Sequence, residues 1–263
     1  MEFMGFELDE TSMTILAEGK SIVNAATAQQ ITLRLMGASA VATHSPHYAH
    51  LLKQAGRKLT DLDFMANSKD FDRTGKLMQS LGYQTLRTGM MLASTSVGER
   101  SIFDHPTRHI HVDVFFDKLK MCHTIDFRDR LKTDPITISL ADILLEKMQI
   151  VRINEKDILD TIVLLSEHEL GNNDNDTVNI DYISKLLASN WGFYYTTTMN
   201  LHKIKERLSM YTGLTAENVS NVSLKIDSLL QSIENQPKSS SWKMRAKIGT
   251  RKKWYEDVEE IVR

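Results

Sequence analysis

The chain has 263 residues, 41% apolar and 25% charged, with 12 glycines and 4 prolines, which excludes collagen-like, low-complexity and wholly disordered chains and leaves room for one or two domains. Thirty-two Lys and Arg against 34 Asp and Glu give a net charge of −2, so the chain as a whole is no polyelectrolyte binder. The single cysteine, Cys122, excludes an internal disulfide and a Cys-cluster zinc site, and no apolar run approaches the roughly 18 residues that span a bilayer.

The first residues, Met1-Glu2-Phe3-Met4-Gly5-Phe6-Glu7, are acidic where a signal peptide is basic, so a cytoplasmic protein with no membrane partner is expected. Ile15 to Ile31 reads as a helix, and Thr32 to Met36 as a short strand ending at Gly37-Ala38-Ser39. Residues 61–66 alternate polar and apolar, the period of a half-buried strand. Asn67 and Asp70 form a capping-box-like pair opening a helix, with Gly82 just past its end. Residues 109–116 are β-branched and alternating, and Ile136-Thr137-Ile138 reads as a further strand.

Beyond about residue 139 the pattern turns helical. Ser139 and Asp142 suggest a capping box before an apolar stripe that includes Leu140, Ile143, Leu144 and Met148, and Asn154 with Asp157 opens a helix to about His168. Residues 171–176 are a strong loop signal, followed by helical segments near 180–189, 199–211 and 216–234. Ser239-Ser240-Ser241 reads as a flexible joint before a basic tail. The expected fold class is α+β: a small mixed β-sheet with flanking helices over 1–139, then a mostly helical domain over 140–263.

Three pieces carry chemistry. A turn of small residues at Gly37, Ala38 and Ser39 lets backbone N–H groups approach phosphate oxygens. Asp61 and Asp63, two apart on a strand, project from one face, where they are either a solvated pair or hard-oxygen ligands for Mg²⁺ or Mn²⁺. Asp113, inside an apolar strand, needs a partner, which is a shared cation if its strand lies beside that of Asp61, or else a salt bridge to Arg34 or Arg57.

Gly37-Ala38-Ser39, then Arg57-Lys58-Leu59-Thr60-Asp61-Leu62-Asp63-Phe64, then Val112-Asp113-Val114 resembles the polymerase-β-type nucleotidyltransferase superfamily. The Arg-x-x-Thr-Asp-Leu-Asp form resembles more narrowly the abortive-infection type nucleotidyltransferase toxins. Leu144 to Met148 and Glu155 to Asp160 are similar to that branch's lysine helix and its basic-acidic-x-x-acidic element, so the resemblance spans about residues 31–165. It implies a Mg²⁺- or Mn²⁺-dependent enzyme moving a nucleoside monophosphate from an NTP to an acceptor, with tRNA, protein or a small molecule as acceptor. It implies Asp61, Asp63 and Asp113 as catalytic metal ligands, and Gly37, Ala38, Ser39 and Lys147 as nucleotide contacts. Arg57, Thr60 and Asp160 would support them, and a toxin role would imply a cognate antitoxin.

Lys147 lies within the apolar stripe of its helix, where a lysine snorkels, pairs with an acid or meets a phosphate. Two other classes of function stay open: a nucleotide-binding or regulatory protein of the same fold without turnover, and a metallohydrolase built on His109, His111 and Asp113 along one strand face. In the tail, seven cations from Lys238 to Lys253 carry no acid between them and are interleaved with Trp242 and followed by Trp254 and Tyr255. That composition suits single-stranded nucleic acid and equally a solvated basic helix, and Glu256, Asp257, Glu259 and Glu260 follow at once.

Overall fold

The computed structural model of the protein describes residues 8–87 and 100–258, so the amino-terminal acids and Glu259 and Glu260 lie outside the described residues. The chain divides between Ser139 and Leu140 into two units, taken in turn below.

Helix α1 (Glu10–Ala28) starts earlier than its apolar period suggests, because the Asp9 carboxylate accepts from the Ser12 backbone N–H at 3.1 Å and from the Ser12 hydroxyl at 2.5 Å. Ser12, Ile15, Gly19, Ile22 and Ala26 recur every three or four residues and are buried, with Val23 beside them. Gly19 lets the helix lie close on the sheet: a Cβ there would sit 2.8 Å from a Leu62 methyl and 2.9 Å from a Leu35 methyl.

Strand β1 (Leu33–Met36) runs straight into helix α2 (Gly37–His44), so the small-residue turn is itself the first turn of a helix. Helix α3 (Ala49–Gln54), strand β2 (Asp61–Ala66), helix α4 (Phe71–Ser80) and strands β3 (Gln84–Arg87), β4 (Arg100–His105) and β5 (Ile110–Phe116) follow. The sheet order is β1-β2-β5-β4-β3, with β2 and β5 parallel at the centre and every other pairing antiparallel, which makes the sheet mixed, as the alternation of helix and strand signals predicts. Leu62, Phe64, Val112 and Val114 are fully buried on this central pair, each stabilising the fold by about 1.5–3 kcal/mol relative to exposure. A small hairpin, β6 (Lys118–Lys120) and β7 (Thr124–Asp126), follows among the described residues.

Two sequence expectations fail here. Ile136-Thr137-Ile138 contributes only a single bridge, Thr137 to Leu35. The Asp134 carboxylate captures the N–H groups of Ile136 (2.8 Å) and Thr137 (2.7 Å), an Asx arrangement that curls the backbone away from a longer ladder. Before α4, Asn67 makes no side-chain cap, and a 3₁₀ turn over Ser68–Asp70 intervenes. Asp70 instead accepts from the Thr32 N–H (3.2 Å) and Arg73 (2.9 Å), which ties the helix start to the strand before β2.

The second unit is helical: α5 (Leu140–Met148), α6 (Glu155–Glu167), α7 (Ile180–Leu187), α8 (Trp191–Arg207), α9 (Ala216–Asn235) and α10 (Ser240–Ile248). Side-chain caps announce most of them. Asn154, Asn179 and Asn190 each accept at 3.0 Å from the N–H three residues on, and Thr215 with Asn218 forms a reciprocal capping box. Helix α8 starts well before the predicted residue 199. Its first turns are aromatic and β-branched, weak helix formers on their own, and burial of Trp191, Phe193, Thr196 and Thr197 outweighs that preference. The supposed flexible joint is ordered as well, since the Ser239 hydroxyl accepts from the Trp242 N–H at 3.1 Å and caps α10.

Candidate active site

The parallel register of β2 and β5 pairs Asp61 with His111 and Asp63 with Asp113. Neighbours in register on parallel strands project to the same side, so Asp61, Asp63, His111 and Asp113 share one face while Leu62, Phe64, Val112 and Val114 occupy the other. Asp61 and Asp63 are half-buried and Asp113 is 1% exposed.

Gly37 completes this corner. Met36 pairs with Asp63 across the antiparallel β1–β2 ladder, so the residue after it emerges beside the acid. Its φ is +65°, and an added Cβ would lie 2.9 Å from Asp63 Oδ2, so both backbone and space call for glycine. Ser39 is buried in the first turn of α2, and its carbonyl accepts from the Thr43 hydroxyl at 2.8 Å. Thr60 Oγ1 donates to Asp61 Oδ1 at 3.2 Å, and Arg57 donates to the Lys58 carbonyl at 2.9 Å.

The cation that grips Asp113 is Arg100, and Arg34 is turned elsewhere. Arg34 donates to the carbonyls of Asp134 (2.6 Å) and Leu33 (2.9 Å), whereas Arg100 grips Asp113 through Nε to Oδ1 (3.1 Å) and Nη2 to Oδ2. His111 adds Nε2 at 3.5 Å from Asp113 Oδ1, while its Nδ1 meets Asp104 Oδ1 at 2.6 Å. Burial pushes the Asp113 carboxyl up, but the His111 and Arg100 contacts outweigh it and hold the pKa below the usual aspartate value. The signal for Arg100 lay in Asp113 itself, because a carboxylate in an apolar strand demands a cation; only the pairing of β4 with β5 says which one.

The face drawn from His109, His111 and Asp113 does not form. His109 has φ +53° in the turn before β5 and is exposed, so the alternation begins one residue later than the sequence suggests. Among the described residues no group of three or more His, Cys, Asp or Glu is arranged to hold a metal ion without rearrangement. The donor chemistry of the acid face nevertheless fits a hard divalent cation: Asp61, Asp63 and Asp113 present carboxylates from one side of the paired strands β2 and β5.

In the second unit, Lys147 is 5% exposed and donates to Asp157 Oδ1 (3.0 Å) and Asp160 Oδ2 (2.9 Å). Burial works against its ammonium, yet Asp160 and Asp157 outweigh that cost and hold its pKa above the ordinary lysine value. Of the three roles open to an inward lysine, the structure shows pairing with acids. Asp157 both receives the Asn154 cap at its N–H and offers its carboxylate to Lys147, so its capping position does not exhaust its role.

No protein-family model matches the chain, and no curated protein does. Among solved structures it is similar to the antibiotic-resistance factor ANT(2'')-Ia in solution, at 13% identity and a TM-score of 0.41 over 67% of this chain and 95% of that one. It is also similar to the crystal structure of an antigenic nucleotidyltransferase-like protein from Paracoccidioides brasiliensis, at 15% identity and a TM-score of 0.40 over 89% of this chain and 96% of that one. These low values leave the site to be read from its own geometry.

Proposed function

We propose that the protein is a metal-dependent nucleotidyltransferase, transferring a nucleoside monophosphate from an NTP to an acceptor with release of pyrophosphate. The observation that carries this reading is the register of Asp63 against Asp113, with Gly37 pressed against Asp63. Like charges set side by side on a central strand pair are unfavourable unless a cation or a phosphate-bound cation is shared between them.

In this reading an acceptor oxygen forms a bond to the α-phosphorus as the bond from that phosphorus to the pyrophosphate oxygen breaks. Asp61, Asp63 and Asp113 would hold Mg²⁺ or Mn²⁺, which when bound supplies charge neutralisation of the triphosphate. Gly37, Ala38 and Ser39 present the first turn of α2 to the β- and γ-phosphates, with no side chain in the way at Gly37. Thr60 orients Asp61. The Asp113 carboxyl, held below the usual aspartate value, suits an ionised ligand that would also help take the acceptor proton. Most of the rate enhancement comes from position and charge, as phosphoryl transfer requires. Lys147 and Asp160 act together as an ion pair in the helical unit, which supports the nucleotide contact assigned to Lys147 only if the lysine exchanges an acid for phosphate.

The second reading, a nucleotide-binding protein of this fold without turnover, is favoured by the Arg100 fork, which already neutralises Asp113. Incubation with each α-labelled NTP and Mg²⁺, with total RNA or the protein alone as acceptor, separates the two. Label that moves with the intact chain and stops with Asp63→Asn supports the transferase, at a loss of more than about a hundredfold, above the range for outer partners of a metal. Saturable nucleotide binding with no transfer supports the second reading, and neither binding nor transfer overturns both. In a toxin role, with a cognate antitoxin, expression in the cytoplasm of a host arrests growth and Asp63→Asn does not.

A further inference from the structure

All three tryptophans of the chain, Trp191, Trp242 and Trp254, line one groove of about 390 Å³ in the helical unit, between the start of α8 and the segment from α10 to residue 256. Trp191 stacks on Tyr195 with centroids 5.3 Å apart, Tyr195 meets Trp254 edge-on at 5.1 Å, and Trp254 meets Tyr255 at 5.1 Å. The rings are fixed rather than loosely exposed. Trp254 Nε1 donates to Thr196 Oγ1 at 3.0 Å, and Trp242 Nε1 donates to the Leu187 carbonyl at 3.2 Å. Arg245 lies over Trp191 at 4.5 Å and locks the tail by donating to the carbonyls of Gly249 and Lys252 at 2.7 and 2.8 Å.

Charge surrounds this aromatic row. Helix α10 buries none of its residues, and Lys243 and Lys247 stand on it four apart, one turn along the same face, with Lys252 exposed beyond it. Four residues of helix advance about 6 Å, a step that successive phosphates of an extended strand can follow. Lys253 is held by Asp257, and Glu256 sits at the rim, so the cationic run has an acidic end.

From ordered ring edges and faces beside the exposed lysines of α10, we infer that this groove binds single-stranded nucleic acid, with bases against the Trp254–Tyr255 end and phosphates along α10. The Trp191–Tyr195–Trp254–Tyr255 row lies beside this cationic track, and stacking on aromatic side chains along a cationic track is how sequence-tolerant single-strand binding works. The inference stands apart from the nucleotidyltransferase reading, since it uses no residue of the acid face.

Because every tryptophan lies in the groove, intrinsic fluorescence of the full-length protein reports its occupancy. Titration with oligouridine should quench the emission to saturation, and the logarithm of the affinity should fall with that of salt at a slope of about −2, three phosphates at about −0.7 each. Lys243→Glu/Lys247→Glu, both exposed, should weaken binding at least about tenfold and flatten that slope, with an unchanged circular dichroism spectrum. Tyr255→Ala should weaken binding while leaving the salt slope intact. The inference is overturned if no saturable quenching occurs, or if base-free polyphosphate binds as tightly as the oligomer. It is equally overturned if the charge-reversed variant binds like the parent, or if anionic phospholipid vesicles quench where the oligomer does not.

Discussion

Arg100 holds Asp113 by both carboxylate oxygens from the neighbouring antiparallel strand, with Asp113 1% and Arg100 9% exposed. Arg100→Met leaves a buried carboxylate without its counter-charge and should destabilise the protein by about 3–5 kcal/mol in urea denaturation. Arg100→Met/Asp113→Asn should recover part of that loss, because it removes the stranded charge along with its partner. Equal losses in the single and double variants would show that the arginine acts through packing on Phe115, whose ring centroid lies 5.1 Å from its guanidinium carbon.

Gly37→Ala separates site geometry from stability. The left-handed φ costs an alanine about 1–2 kcal/mol, a loss visible as a lower Tm. The new methyl meets Asp63 Oδ2 and must displace that carboxylate, so nucleotide transfer should fall further than the stability change accounts for. Ala38→Gly, in the next position, should leave transfer nearly intact.

Lys147→Met strands two buried acids at once and should cost the chain about 3–5 kcal/mol. In a double-mutant cycle with Asp160→Leu, the coupling between the two positions should amount to about 0.5–3 kcal/mol. Additive losses would mean that Asp157 alone satisfies the lysine.

His123, in the β6–β7 hairpin, has its pKa lowered by burial to about 4. Folding therefore favours the neutral ring, while the unfolded chain protonates near the ordinary histidine value of about 6.5. Its contribution is complete above that value, declines as pH falls towards 4 and is constant below, at most about 3 kcal/mol in all. His123→Gln should lose less stability than the parent between pH 7 and pH 4 when both are followed by chemical denaturation.

The alternation over residues 61–66 and the caps at Asn154 and Asp157 were legible because each is local: a period or a spacing settles it within one turn or one strand. The same local reading picked out Asp113 as an anomaly and stopped there. Arg100, its partner, is joined to it only by strand pairing, which no spacing reveals. Only the start of helix α8 escaped, for the opposite reason, since its aromatic and β-branched residues before 199 disfavour helix until their burial is known. At Ile136 to Ile138 the strand signal yields one bridge to Leu35 and no longer ladder, because a single carboxylate at Asp134 takes two of the segment's donors.

The central pairing of β2 with β5 joins segments far apart in the chain, with the β3 and β4 strands lying between them in sequence. Closing so long a loop is slow, and here the closing step also brings two negative groups into register. The acid face is thus a burden during folding as well as an asset afterwards. Refolding of the intact chain should quicken on Asp63→Asn, which relieves the repulsion and leaves the Arg100–Asp113 pair in place, so catalytic competence and speed of assembly are set against each other at Asp63.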